Sequence, residues 1–159
     1  MDSATERLMR DLNEMRSDPL PYATADIDGN NFRLWKGTLN GPPGTPYEGG
    51  LFEFQLNFPA DYPTNPPTCK FITPIFHPNV YSDSGNGNGN VCLPIFRGGV
   101  GGGWNSRFTP KTIISYIIAL LNDPNAAGGY AHDPTTVLKR SKDEFIAKAR
   151  EHTYRHAMG

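Results

Sequence analysis

Two side chains in this chain can act as strong nucleophiles at neutral pH, Cys69 and Cys92, and their settings differ. Cys69 stands in Thr68 to Ile72, a short apolar run that reads as a strand, where a free cysteine is commonly buried. Cys92 closes a different kind of segment. His77-Pro78-Asn79-Val80-Tyr81 leads into a Gly/Asn/Ser-rich stretch that ends at Asn90-Val91-Cys92-Leu93-Pro94. Gly85, Gly87 and Gly89 let the backbone turn back, and asparagine tolerates the same conformations. A thiol delivered by such a loop, with the Asn79 amide and the His77 imidazole shortly before it, is a candidate covalent site. The plain alternative is a cysteine packed beside Val91 and Leu93, although cores are not usually built from Gly/Asn loops.

His77 has two readings. As a base it would activate Cys92, as in a cysteine protease, but no papain-like or caspase-like signature surrounds the cysteine. As a structural residue its ring would fix a turn by bonding the backbone. No C-x-x-C spacing joins Cys69 and Cys92, and His77, His132, His152 and His156 form no recognisable ligand set with them, so no metal is expected. The Gly98–Gly103 run lacks the Lys-Ser or Lys-Thr that a phosphate loop needs, so no bound nucleotide is expected.

Regular elements must hold this loop in place. Residues 4 to 17 read as an amphipathic helix, with Leu8, Leu12 and Met15 on one face and Asp18-Pro19 ending it. Its Arg7 and Arg10 present either a solvated face or a docking surface. Three strands follow at Tyr22 to Ile27, Asn31 to Leu39 and Leu51 to Phe58, the first two joined by an Asp28-Gly29 turn. Phe52, Phe54, Leu56 and Phe58 alternate at period two and so face the core. Thr68 to Ile72 is the fourth strand of an antiparallel meander. From Thr73 to Gly103 the periodic signal disappears. Eight of the seventeen glycines fall between Gly85 and Gly103, which marks an irregular and functional stretch. Thr109-Pro110 then opens an apolar helix through Leu121. A short helix starts at Asp133-Pro134, and Ser141-Lys142-Asp143-Glu144 is a capping-box signature for the last one.

Strands followed by helices describe one α+β domain over residues 1–159. Net charge is −1 with no basic block, which makes nucleic acid and anionic membranes poor partners. Mean hydropathy is −0.51 and no apolar run reaches membrane-spanning length. The first twenty residues hold no apolar secretory stretch, so a reducing compartment, cytoplasmic or nuclear, is expected.

In order along the chain stand Gly41-Pro42, Pro46-Tyr47-Glu48-Gly49-Gly50, Phe58-Pro59, Tyr62-Pro63 with Pro66-Pro67, His77-Pro78-Asn79, Gly89-Asn90-Val91-Cys92-Leu93, Trp104 and Asp123-Pro124-Asn125. This series resembles the ubiquitin-conjugating enzyme family over nearly the whole chain. The resemblance implies that family's fold: an N-terminal helix, a four-stranded meander, an irregular active-site loop and C-terminal helices. It implies that Cys92 carries the modifier as a thioester, with Asn79 supporting the reaction and His77 and Pro78 shaping the loop. The partners implied are ubiquitin or a ubiquitin-like modifier, an activating enzyme approached through Arg7 and Arg10, ubiquitin ligases and protein substrates. No cofactor is implied, because the activating enzyme consumes the ATP.

The segments from Gly44 to Phe52, Pro66 to Phe71 and Phe76 to Tyr81 are also similar to the SUMO-conjugating branch, which leaves the same chemistry with another modifier as the alternative. A non-catalytic ubiquitin-binding variant is the alternative of another class, and the presence of Cys92 with Asn79 speaks against it. Departures from the family pattern lie around the cysteine. The intervals on both sides of it are longer and glycine-rich, Thr64 replaces an aromatic residue, and Pro94 and Gly128 stand where many members carry acidic or serine groups. His132 or Asp133 would have to serve on the acceptor side, and ligases that form their own thioester are the favoured partners.

Overall fold

The computed structural model describes residues 2–81, 89–124 and 132–158, with His132 described in its backbone alone. Gly85, Gly87, Gly128 and the side chain of His132 lie outside the described residues. The elements run α1 (Ser3–Ser17), β1 (Ala23–Asp28), β2 (Asn31–Asn40), β3 (Leu51–Asn57), β4 (Thr68–Phe71), a single 3-10 turn η1 (Pro94–Phe96), α2 (Pro110–Asn122), α3 (His132–Arg140) and α4 (Lys142–His156).

The sheet is an antiparallel meander in the order β1-β2-β3-β4, as the short connections require. Gly29, at φ +59°, makes the tight β1–β2 turn in a region where other residues are strained. Register pairs Trp35 with Leu56 and Leu39 with Phe52, so the period-two face of β3 meets its counterpart on β2. Phe52, Phe54, Leu56 and Phe58 are all buried, as is Trp35, whose indole N–H donates to the Phe32 carbonyl. Each such side chain contributes roughly 1.5–3 kcal/mol by leaving water.

α2 lies against this core. Ile113, Ile114, Ile117, Leu120 and Leu121 are buried, while Ser115, Tyr116 and Ala119 remain exposed. Its N-cap is Thr109, which accepts the Thr112 N–H. α1 begins one residue earlier than the hydrophobic pattern indicates, because Asp2 caps it by accepting the Thr5 N–H. The capping box at α4 forms only in part. The Ser141 hydroxyl accepts the Glu144 N–H, but the Glu144 carboxylate turns to the Arg140 guanidinium instead of closing the box. A charged donor outcompetes a neutral amide for the carboxylate.

Between Thr73 and Gly103, the described residues are more regular than the composition indicates. Asn90 bridges Lys70 of β4, Val91 bridges Val80 on the other side, and η1 follows at once. Two-residue bridges are too brief to leave a periodic signal, which explains why the sequence reads as irregular there.

Candidate active site

Cys92 is positioned by a strand pair that holds its segment from both sides. On one side Val91 donates its N–H to the Cys69 carbonyl at 3.0 Å, and Phe71 donates to the Gly89 carbonyl at 2.7 Å. On the other, Cys92 N–H donates to the Asn79 carbonyl at 2.9 Å and Tyr81 N–H to the Asn90 carbonyl at 3.0 Å. The Gly89 N–H returns to the Tyr81 carbonyl at 2.7 Å and closes the loop. Gly89 is obligatory there. It has φ +87°, and a Cβ at this position would stand 2.2 Å from the Phe71 carbonyl oxygen.

The two cysteines differ as their settings imply. Cys69 is buried, and burial pushes its thiol well above the ordinary range, so it is inert. Cys92 is half-buried. Burial raises its thiol too, opposed by a hydrogen bond from the Tyr81 side chain and by the positive charge of Arg97. Tyr81 and Arg97 are site residues that sequence reasoning missed. Tyr81 stands two residues after Asn79, so period-two alternation along residues 79–81 would have found it, had that strand been assigned.

Asn79 lies across the ladder from Cys92 and is buried. Its backbone is fixed twice, by the Cys92 N–H and by its own N–H, which donates to His77 Nδ1 at 3.0 Å. His77 is fully buried, and its Nε2 lies 2.9 Å from the Leu120 carbonyl. Since Nδ1 accepts, Nε2 carries the proton and donates. Both ring nitrogens are thereby committed, and burial pushes the imidazole down to about 4. The structural reading of His77 holds, and the protease-like reading, in which it activates Cys92, is set aside. Pro78 is buried between these two anchors. Tyr47 adds a third anchor by donating its hydroxyl to the Phe76 carbonyl at 2.7 Å.

Beyond Cys92, the residues Leu93, Pro94 and Ile95 face Tyr116, Ala119, Leu120, Asp123 and Pro124 across a groove of about 500 Å³. Pro94 is exposed, and Asp123 is the acidic group on this groove's wall. Asp133 is exposed in the first turn of α3. Among the described residues, no contact brings it to Cys92.

Arg7 and Arg10 part company. Arg7 donates from Nε to Asp11 at 3.1 Å, from Nη1 to the Ser106 carbonyl and from Nη2 to the Phe108 carbonyl, both at 2.8 Å, and lies over the Tyr62 ring. Its side chain is 13% exposed, against 4% for Asp11, so it ties α1 to the loop before α2. Arg10 is exposed on the rim of a groove that also includes Glu14, Pro63 and Arg107.

Among the described residues, no three His, Cys, Asp or Glu side chains converge as a metal site, and no helix is long and apolar enough to cross a membrane. Residues 7–153 match the sequence model of the family described as "Ubiquitin-conjugating enzyme". The chain is similar to "Ubiquitin-conjugating enzyme E2 2" of Candida glabrata, at 36% identity over 93% of this chain and 83% of the relative. The relative of the same name in Saccharomyces cerevisiae is 35% identical over 93% and 81% of the two chains. That of Aspergillus fumigatus is 36% identical over 94% and 93%. None of these three bears a SUMO-conjugating name, so the alternative modifier gains no support from them.

Proposed function

The chain belongs to the ubiquitin-conjugating enzyme family, and on that footing we propose that Cys92 takes ubiquitin from an activating enzyme and holds it as a thioester. The Cys92 thiolate attacks the incoming thioester carbonyl, a new C–S bond replaces the old one, and the activating enzyme's thiolate leaves. The charged enzyme then passes the modifier to a substrate lysine or to a ligase cysteine.

The observation that carries this reading is the contrast between the two thiols. Cys92 is reachable and fixed on a ladder opposite Asn79, with the Tyr81 side chain at its sulfur, while Cys69 is sealed in the core. The groove from Leu93 to Pro124 suits an extended peptide tail leading away from the thioester.

Charging with activating enzyme, ATP and ubiquitin, read on a non-reducing gel, tests the proposal. Cys69→Ser should charge as wild type does. Cys92→Ser should give either no adduct or an ester that survives thiol reductant. Charging abolished by Cys69→Ser in a folded protein, and retained as a thioester by Cys92→Ser, would refute it.

A further inference from the structure

Two imidazoles face each other on the last helix. His152 and His156 stand one turn apart on α4, and their ring centroids are 4.3 Å apart with the planes inclined at 43°. Histidines four apart on a helix share a face, the spacing with which a helix can grip a zinc ion. Two imidazoles on one zinc, at the usual Zn–N length of about 2.0–2.1 Å, hold their centroids roughly 4.5–5 Å apart. A small rotation of either ring brings this pair to that distance. Spacing alone does not distinguish such a pair from two solvated side chains; the ring geometry does.

The surroundings leave room for an ion. Both rings border a surface cleft of about 210 Å³ with Phe76, Lys148, Glu151 and Arg155. They also border a deeper cavity of about 220 Å³ that reaches Tyr81 and Gly89. The two cations at the cleft are already paired, Lys148 with Glu144 at 3.6 Å and Arg155 with Glu151 at 2.9 Å. His156 is exposed and His152 is half-buried. Among the described residues, Nδ1 of His152 is enclosed and has no hydrogen-bond partner. A buried nitrogen in that state calls for a partner. A bare divalent ion is smaller than a water molecule, and it takes up the lone pair of a neutral imidazole directly.

We propose that His152 and His156 form a binding site for a divalent transition metal, with one nitrogen from each ring as ligands and water in the remaining positions. Imidazole donors select zinc, copper or nickel over magnesium and calcium, which prefer oxygen. The bound ion would clamp the last turn of α4 to the turn before it. This site is separate from the thioester chemistry and does not depend on it.

The test is a calorimetric titration with zinc alone, on the Cys92→Ser chain so that the thiol does not compete for the ion. The expected result is one zinc per chain, a higher melting temperature, and imidazole NMR signals of His152 and His156 that shift together. Magnesium should give no heat. His156→Ala changes an exposed side chain that the fold does not need. It should weaken zinc binding at least about tenfold, because a lone imidazole lacks the effective concentration of a linked pair. Undiminished zinc binding in His156→Ala, shifts confined to other histidines, or no binding at millimolar zinc overturns the proposal.

Discussion

His77 Nδ1 accepts the backbone N–H of Asn79, two residues on, while the opposite ring nitrogen donates to the Leu120 carbonyl at the end of α2. One neutral imidazole thus joins the helix of the core to the segment that faces Cys92. Protonating Nδ1 would set two N–H groups against each other in a dry site. The ring is accordingly held neutral down to about 4, against an ordinary value of 6.5. A depressed folded-state value means that the stabilisation is complete above pH 6.5 and is lost as pH falls toward 4. The loss should approach roughly 3 kcal/mol. Thermal melts from pH 7.5 to 4 should show this decline in the wild type, and His77→Gln should be less stable at pH 7 but show a shallower slope.

Asn79→Ala separates chemistry from scaffolding. Its ladder and turn bonds to Cys92 and His77 use the backbone, which the substitution keeps. Charging should be normal, and discharge to small nucleophiles should slow by about 10²–10³, the usual effect of losing one donor at a developing oxyanion. Unchanged discharge in a folded variant would remove Asn79 from the reaction.

Arg7 and Arg10 should fail differently. Arg7→Ala leaves Asp11 buried without its cation, and the loss of stability should be roughly 3 kcal/mol, visible in denaturant melts. Arg10→Glu should leave stability unchanged within about 0.5 kcal/mol. It should instead slow charging, most at low salt, where exposed charges act over the longest range. Equal charging rates at low salt would mean that the Arg10 face is merely solvated.

Acceptor chemistry follows from Pro94. An exposed proline beside the thiol can neither orient nor deprotonate an incoming amine. An ordinary lysine pays about 4–5 kcal/mol to be neutral at pH 7, whereas a cysteine needs only about 2 kcal/mol to ionise. Charged enzyme should therefore discharge into free cysteine faster than into free lysine at pH 7, and Pro94→Asp should raise the lysine rate. Rapid lysine discharge at neutral pH in the wild type, unaffected by changing His132 and Asp133, would contradict this.

The sheet and helices were legible because their signals are long. Leu51 to Phe58 alternates cleanly, and the Ile/Leu repeat of α2 runs from Ile113 to Leu121, more than two turns. Cys92 stood out through its loop and the motifs around it. Tyr81 and Arg97 did not, because each acts through a fold contact that residue type alone cannot reveal. Arg7 looked like a surface cation for the same reason. Its partners Tyr62, Ser106 and Phe108 are far away in the chain, and helical spacing shows only Asp11. The capping box misled in a smaller way, since the sequence motif does not show that Arg140 competes for Glu144.

The pair of chain crossings at Tyr81 and Gly89 has a use in engineering. The ends of the intervening stretch are hydrogen-bonded to each other, Gly89 also accepts from Phe71 of the sheet, and Cys92 follows on the Gly89 side of that closure. Chain length between the two crossings is therefore uncoupled from the position of the sulfur. Doubling an unstructured loop costs only about 0.6 kcal/mol in closure entropy. The site is therefore suited to grafting: a peptide spliced between residues 82 and 88 should leave the backbone bonds that place Cys92 unchanged.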